Sequence, residues 1–276
     1  LAGELLSKTP NVKGVIVLTD RAHMPADVSR LRNVLCYEDL LAAEDGDMEW
    51  PVFDDESAAA LCYTSGTTGN PKGALYGHKS TIVHTLSQIA PDCMGLSARD
   101  SVLPVVPMFH VNAWGIPYAT AAVGAKLVLP GRDLDGKSIY ELLTAEEVSF
   151  TAAVPTIWMM LLAHMKEIGG KLPDLERVTI GGSACPRAMM ETFQDDYGVQ
   201  VLHAWGMTEM SPLGTLNTPK HKHLGLPKTE KVDLQQSAGR PLYGVDMKIV
   251  DENGNALPHD GEATGELKVT GPWIIA

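Results

Sequence analysis

Short runs of β-forming residues alternate with helix-period patterns along most of this chain, and that alternation limits its fold more than any other feature. "VKGVIVLT" (12–19) reads as a buried strand, and "AAALCYT" (58–64) as another. Ile82, Leu86 and Ile89 then recur on one face of a helix that stops at Pro91. "SVLPVVPMF" (101–109) is apolar but carries Pro104 and Pro107, so its strand is short, irregular or at an edge. "AKLVLP" (125–130) reads as a strand, and a helix with Ile139, Leu142 and Leu143 on one side follows it. After the strand "VSFTAAV" (148–154), Pro155 opens a helix with a stripe of Trp158, Leu161, Leu162 and Met165. "RVTI" (177–180), a helix containing Met189, Met190 and Phe193, and "VQVLHAW" (199–205) complete the series. The expectation is an α/β architecture with mainly parallel pairing.

The texture changes near Leu216. "NTPKHKHLGLPKTEKVD" (217–233) reads as an exposed excursion, "DMKIVDENGNALP" (246–258) as a hairpin around "ENGN", and "GELKVTGP" (265–272) as a further strand. The expected organisation is an α/β core over 1–215 and a more antiparallel, β-rich part over 216–276. The chain opens at Leu1 without a methionine and closes on "GPWIIA", so both ends read as cuts and the chain as a fragment.

Composition excludes several classes. Lys and Arg number 22 against 34 Asp and Glu, a net charge of −12 that would repel nucleic acid at long range. No run of eighteen apolar residues exists, so no membrane-spanning helix is expected. Cys36, Cys62, Cys93 and Cys185 are far apart and form no C-x-x-C pair, which suits a reducing, cytoplasmic compartment.

The sharpest local signal is "YTSGTTGNPKG" (63–73). Gly66, Gly69 and Gly73 let a backbone approach a phosphate, while Thr64, Ser65, Thr67 and Thr68 add hydroxyls. Successive N–H groups in such a loop make an anion nest, Lys72 adds a full charge, and Thr64 offers an oxygen to Mg²⁺. The loop is neither G-x-x-x-x-G-K-[ST] nor G-x-G-x-x-G.

This loop resembles the signature loop of the adenylate-forming enzymes, which include acyl-CoA synthetases, luciferases and peptide-synthetase adenylation domains. "PMFHVNAW" (107–114), "GGSACP" (181–186) and "HAWGMTEMSP" (203–212) match further motifs in the family's order. "SAGRPLYGVDMKIVD" and "GELKVTGPW" are similar to the segments that lead towards its ribose-binding region. Within the family, "VLPVVPMFHVNAWG" and "GAKLVLPG" look closest to fatty-acyl-CoA and methylthiopropanoate-CoA ligases.

The resemblance implies the large domain of such an enzyme. The reaction it implies joins a carboxylic acid (a medium- or long-chain fatty acid or a small thioether acid) to AMP from ATP, then passes the acyl group to coenzyme A. It implies that Glu209 ligates Mg²⁺, that Thr208 donates to the α-phosphate and that Lys72 neutralises the triphosphate. An adenine slot is implied between Gly182, Ser183 and Ala184 on one side and His203, Ala204, Trp205, Gly206 and Met207 on the other. Trp205 stands where a tyrosine is commoner, and an indole can still stack on a base. His110 is expected beside the acyl and α-phosphate groups as a positioning residue, with Val111, Trp114 and Gly182 at the acyl pocket. A carboxylate nucleophile is already ionised at pH 7, so no general base is required.

Other readings stay open. The enzyme could be an aryl-acid ligase or a peptide-synthetase domain, or the chain a nucleotide-binding module without chemistry. Ser183 could be a hydrolase nucleophile, although "GGSAC" lacks the second glycine of G-x-S-x-G. Met159, Met160, Met189 and Met190 read as core filler, Cys185 as a small buried residue, and His221 with His223 as an improbable metal pair. The resemblance also implies a small C-terminal domain with a catalytic lysine, and a ribose-binding aspartate, both absent from these residues. The isolated chain is therefore expected to be weakly active or inactive. The resemblance admits a homodimer, which the sequence does not specify.

Overall fold

The computed structural model describes residues 2–64 and 69–275. The chain divides into two compact units, Leu1–Phe53 and Asp54–Ala276. The first contains helix α1 (Ala2–Lys8), strand β1 (Val15–Val17), strand β2 (Val34–Cys36) and helix α2 (Tyr37–Ala42). β1 pairs with β2 in parallel. The expected buried strand over 12–19 is therefore only three residues long, and Ile16 keeps 51% of its surface. A two-stranded sheet has too little of its own structure to cover both faces.

The second unit begins with β3 (Ala58–Tyr63) and β4 (Gly73–Gly77), an antiparallel pair, followed by helix α3 (His78–Ile89). Next come β5 (Ser101–Pro104), a left-handed helical turn α4 (Val111–Trp114), α5 (Ile116–Val123), β6 (Lys126–Leu127) and α6 (Gly136–Ala145). Then follow β7 (Phe150–Ala153), α7 (Pro155–Ile168), β8 (Arg177–Ile180), α8 (Arg187–Glu191) and β9 (Gln200–Gly206). The chain ends with β10 (Leu213–Leu216), α9 (Lys228–Gln236), β11 (Arg240–Pro241), β12 (Asp246–Val250) and β13 (Glu266–Thr270).

Seven strands form one sheet in the order β11-β10-β9-β8-β7-β5-β6. β6, β5, β7, β8 and β9 are parallel, and β10 and β11 continue one side of the sheet through antiparallel pairings. The expected boundary at 215/216 falls inside β10, whereas the division of the structure lies after Phe53. Alternate side chains along each strand feed two cores. Val178, Ile180 and Val201 face Ile139, Trp158, Leu161 and Phe193. Ala152, Leu202 and Ala204 face Tyr76, Ile116, Ala119 and Trp273.

Three local expectations are corrected, and a fourth, the exposed excursion over 217–233, holds with local structure of its own. Helix α3 buries His84, Thr85 and Gln88, while Ile82 and Leu86 each stay 58% exposed. Its polar side is the inward one because backbone groups are waiting there: Leu213 N–H donates to His84 Nε2 at 3.3 Å, and Gln88 Nε2 donates to the Trp114 carbonyl at 2.7 Å. Met159 and Met160 are exposed, because the positions after Trp158 rotate off the buried stripe of α7; Met189 and Met190 are buried as expected. The excursion over 217–233 contains a 3₁₀ turn at His221–His223 and the start of α9, entered through Pro227 and anchored by buried Val232. The "ENGN" turn forms, but β12 pairs with β13, and the return arm adds only a Val250–Ala256 bridge before Pro258, which has no N–H to donate. Among the described residues no helix is long and apolar enough to cross a membrane.

Candidate active site

Parallel pairing brings the loops after β5, β8 and β9 to one edge of the sheet, where open α/β sheets bind ligands. A cleft of about 210 Å³ opens there. His110, Val111 and Trp114 line it from the first loop, Gly181 and Gly182 from the second, Ala204, Trp205 and Gly206 from the end of β9, and Met207 and Thr208 from the loop that follows it. Three motifs far apart in sequence therefore share one wall.

Trp114 is 6% exposed and packs on the glycines. A Cβ on Gly181 would sit 3.3 Å from its Cη2. Gly182 has φ +79, and a Cβ there would lie 2.9 Å from Val154 Cγ1. A side chain at Gly181 would press on the indole, and one at Gly182 would strike Val154 instead. The turn carrying Trp114 is left-handed at every residue, with φ of 50, 46, 51 and 59 from Val111 to Trp114 and 75 at Gly115. Such φ values are costly for residues other than glycine and persist where the surroundings over-determine them. The bond from Gln88 to the Trp114 carbonyl is one such constraint. His110, just before this turn, is exposed and makes no side-chain hydrogen bond among the described residues.

Gly206 is required by close approach: a Cβ would fall 1.9 Å from the Pro212 carbonyl oxygen, which also accepts from Met207 N–H at 3.0 Å. Glu209 follows in a 3₁₀ turn at Thr208–Met210. Its carbonyl accepts from Ile275 N–H at 2.9 Å, while its carboxylate is half-buried and has no hydrogen bond or ion pair among the described residues. Tyr76, 3% exposed, donates its hydroxyl to the Thr208 carbonyl at 2.6 Å. Burial, then neighbouring Cys62 and Glu209, keep this phenol protonated well above the ordinary tyrosine range.

Tyr76 lies on the strand that begins after Lys72, so Lys72 is about 13 Å of extended chain from this bond. Thr64 N–H donates to the Lys72 carbonyl at 2.8 Å and closes the base of the loop. Lys72 is exposed, Thr64 half-buried, and Gly69 has open space where a Cβ would be. Ser65, Gly66, Thr67 and Thr68 lie outside the described residues.

His203 is set apart from its expected neighbours. It is 4% exposed, its Nε2 faces Cys185 N–H at 3.4 Å and its Nδ1 faces the Gln235 carbonyl at 3.0 Å. With both ring nitrogens engaged by backbone, its side chain braces the 181–185 loop against the end of α9. Ser183 and Ala184 are exposed, and Ser183 bonds to no histidine among the described residues, so the hydrolase reading gains no triad. Burial pushes the Cys185 thiol up to about 12, which keeps it an inert thiol. Among the described residues no group of three or more His, Cys, Asp or Glu is placed to hold a metal, His221 and His223 included.

Sequence reading missed Tyr76, His84, Gln88, Met94 and Thr179. The first three hold the site's turns, and the last two line the cleft. Alternation of Ala74 and Tyr76 along β4, both buried, is the one signal that would have placed Tyr76 inward.

Comparison with known proteins shows the family and the fold. The chain is 50% identical over 276 residues to the medium-chain-fatty-acid–CoA ligase of Ectopseudomonas oleovorans, covering 100% of this chain and 50% of that one. It is 54% identical over 239 residues to the 3-methylmercaptopropionyl-CoA ligase of Ruegeria lacuscaerulensis, covering 87% of this chain and 44% of that one. The chain thus spans about half the length of these relatives. Among solved structures, the O-succinylbenzoate coenzyme A synthetase of Bacillus subtilis, in complex with ATP and magnesium ion, shares the fold: TM-score 0.73 at 23% identity, over 100% of this chain and 54% of that one. With residues 5–276 matching the family described as AMP-binding enzyme, the chain belongs to that family.

Proposed function

We propose that this chain carries the nucleotide- and acid-binding half of an ATP-dependent acid–CoA ligase, which forms an acyl-adenylate and passes the acyl group to coenzyme A. One observation carries the reading. The Tyr76–Thr208 bond joins the hairpin of the Gly/Thr loop to the turn of Glu209, beside a cleft walled by the other two motifs. In the first step the acid's carboxylate oxygen attacks the α-phosphorus and pyrophosphate leaves. An anion thus approaches a polyanion, and charge neutralisation dominates the barrier. A unit charge pair at ~4 Å contributes about 4 kcal/mol at a surface-like dielectric.

Lys72 supplies one such charge. The free carboxylate of Glu209, with the Thr64 hydroxyl, suits a Mg²⁺ that takes its remaining oxygens from phosphates and water, and a bound Mg²⁺ would screen the phosphate charge. Trp205 and the 181–184 loop receive the adenine, Thr208 faces the α-phosphate, and His110 positions the carboxylate. Coenzyme A is the second-step co-substrate. A cytoplasmic location belongs to the same proposal, supported by four cysteines that are free and buried.

The test is acid-dependent ATP–pyrophosphate exchange and thioester formation in a full-length polypeptide carrying this chain. Fatty acids, thioether acids and aryl acids are compared. Activity confined to aryl acids or amino acids would move the chain to another branch of the family, and exchange without any thioester would remove coenzyme A. The 276-residue chain alone is expected to be weakly active or inactive. The homodimer is tested by light scattering.

A further inference from the structure

Among the described residues that line the cleft, Thr179 has a buried side-chain oxygen with no partner. Thr179 lies at the centre of β8, paired with Ala152 of β7 and Leu202 of β9. Its neighbours Val178 and Ile180 enter the core beneath α6 and α7, so Thr179 points to the opposite face, where the cleft lies. It is 0% exposed, and its Oγ1 has no hydrogen-bond partner among the described residues. Thr151, on the adjacent strand, is equally buried, yet its Oγ1 donates to the Leu103 carbonyl at 2.7 Å. A hydroxyl buried without a partner is costly, and Thr151 shows that this sheet can satisfy one.

Most side chains that line the same cleft are apolar, Met94, Trp114, Ala204 and Leu213 among them. We propose that Thr179 is a specificity-determining residue whose hydroxyl donates to a heteroatom in the acyl chain. The preferred acids then carry an ether oxygen or thioether sulfur in the chain, in preference to plain alkyl acids. This inference rests on the ligase reading above. It follows from an asymmetry of recognition: a site that offers a buried donor discriminates against an analogue with nothing to accept. Sulfur is a weak acceptor and ether oxygen a stronger one, so the effect is graded.

The test uses three chains of matching shape, 3-methoxypropanoate, 3-(methylthio)propanoate and pentanoate. ATP–pyrophosphate exchange is measured in a full-length polypeptide carrying this chain, with Thr179→Val, Thr179→Ser and the parent. The ratio of parent to Thr179→Val kcat/KM cancels differences in substrate desolvation. It is expected to be about tenfold for the methoxy acid, about threefold for the methylthio acid and below one for pentanoate. Thr179→Ser, which keeps the hydroxyl, retains the parent's order. Equal ratios for all three acids would overturn the proposal and leave the ligase reading standing. Exchange with no carboxylic acid at all overturns both. A second readout needs no turnover: because Oγ1 has no partner in the protein, Thr179→Val should raise the unfolding midpoint, and a lowered midpoint would show an internal partner and refute the assignment.

Discussion

The two edges of the seven-stranded sheet treat their polar groups in opposite ways. At the edge where the parallel strands begin, Asp100 accepts from Ser149 Oγ at 2.8 Å, Ser97 N–H at 2.7 Å and Arg177 Nη2 at 2.6 Å. Arg177 also pairs with Glu176 at 2.8 Å and lies 5.8 Å from the Phe150 ring centre; its Nε alone stays unpartnered. These groups tie the starts of β5, β7 and β8 to one another. At the opposite edge, the Glu209 carboxylate, the His110 ring and the Thr179 hydroxyl lack partners among the described residues, and four consecutive non-glycine residues hold positive φ. Polar groups satisfied within the protein hold it together. Those without a protein partner, whether open to water as at His110 and Glu209 or buried at a cost as at Thr179, are available to a ligand.

Breaking the closed edge should have the largest effect. Asp100→Ala takes from Arg177, whose side chain keeps only 18% of its surface, its buried partner and leaves it the exposed Glu176 alone; it is expected to cost about 3 kcal/mol of stability in urea unfolding. A loss under 1 kcal/mol would mean that this edge is no more closed than the other. Glu209→Gln should do the reverse. Acid-dependent exchange in a full-length polypeptide falls about 100-fold, while the urea midpoint hardly moves, because no protein group loses a bond. An equal loss of stability would place Glu209 among the structural groups.

Tyr76→Phe sharpens the contrast, since its bond spans the two roles. It is expected to raise KM for MgATP about fivefold and to cost about 1 kcal/mol of stability. A stability loss without any change in KM would make the bond purely structural. The smallest effect is that of pH. Burial opposes ionisation of Asp100, but hydrogen bonds from Ser149 and Ser97 and the charge of Arg177 outweigh it and hold this carboxyl below its ordinary value. The folded pKa is thus depressed, so its contribution is complete above the unfolded value of about 3.9 and is lost as pH falls through the folded one. The urea-midpoint gap between the parent and Asp100→Asn should hold from pH 7 to about 5 and shrink below about 4. A constant gap down to pH 2 would exclude the carboxylate as its source.

Much of the sheet was legible, because β7, β8 and β9 are short apolar runs bounded by turn residues, and a period of 2 or 3.6 survives in a single sequence. The inward face of α3 was not. Ile82 and Leu86 make the stronger apolar pattern, yet His84 and Gln88 point inward because backbone groups of Leu213 and Trp114 are there to meet them. The role of His203 was equally hidden, since the motif says nothing of Gln235, which engages it from 32 residues away.

From sequence alone came the strand–helix alternation, the Gly/Thr loop with Lys72 and the four ordered motifs, each a property of neighbours along the chain. Which of those residues share a wall was decided only in three dimensions. So were the Tyr76–Thr208 bond across 132 positions, and the solitude of the Thr179 hydroxyl beside the satisfied Thr151. The physical reason is that a hydrogen bond depends on a few tenths of an ångström between groups whose separation in sequence carries no trace of it.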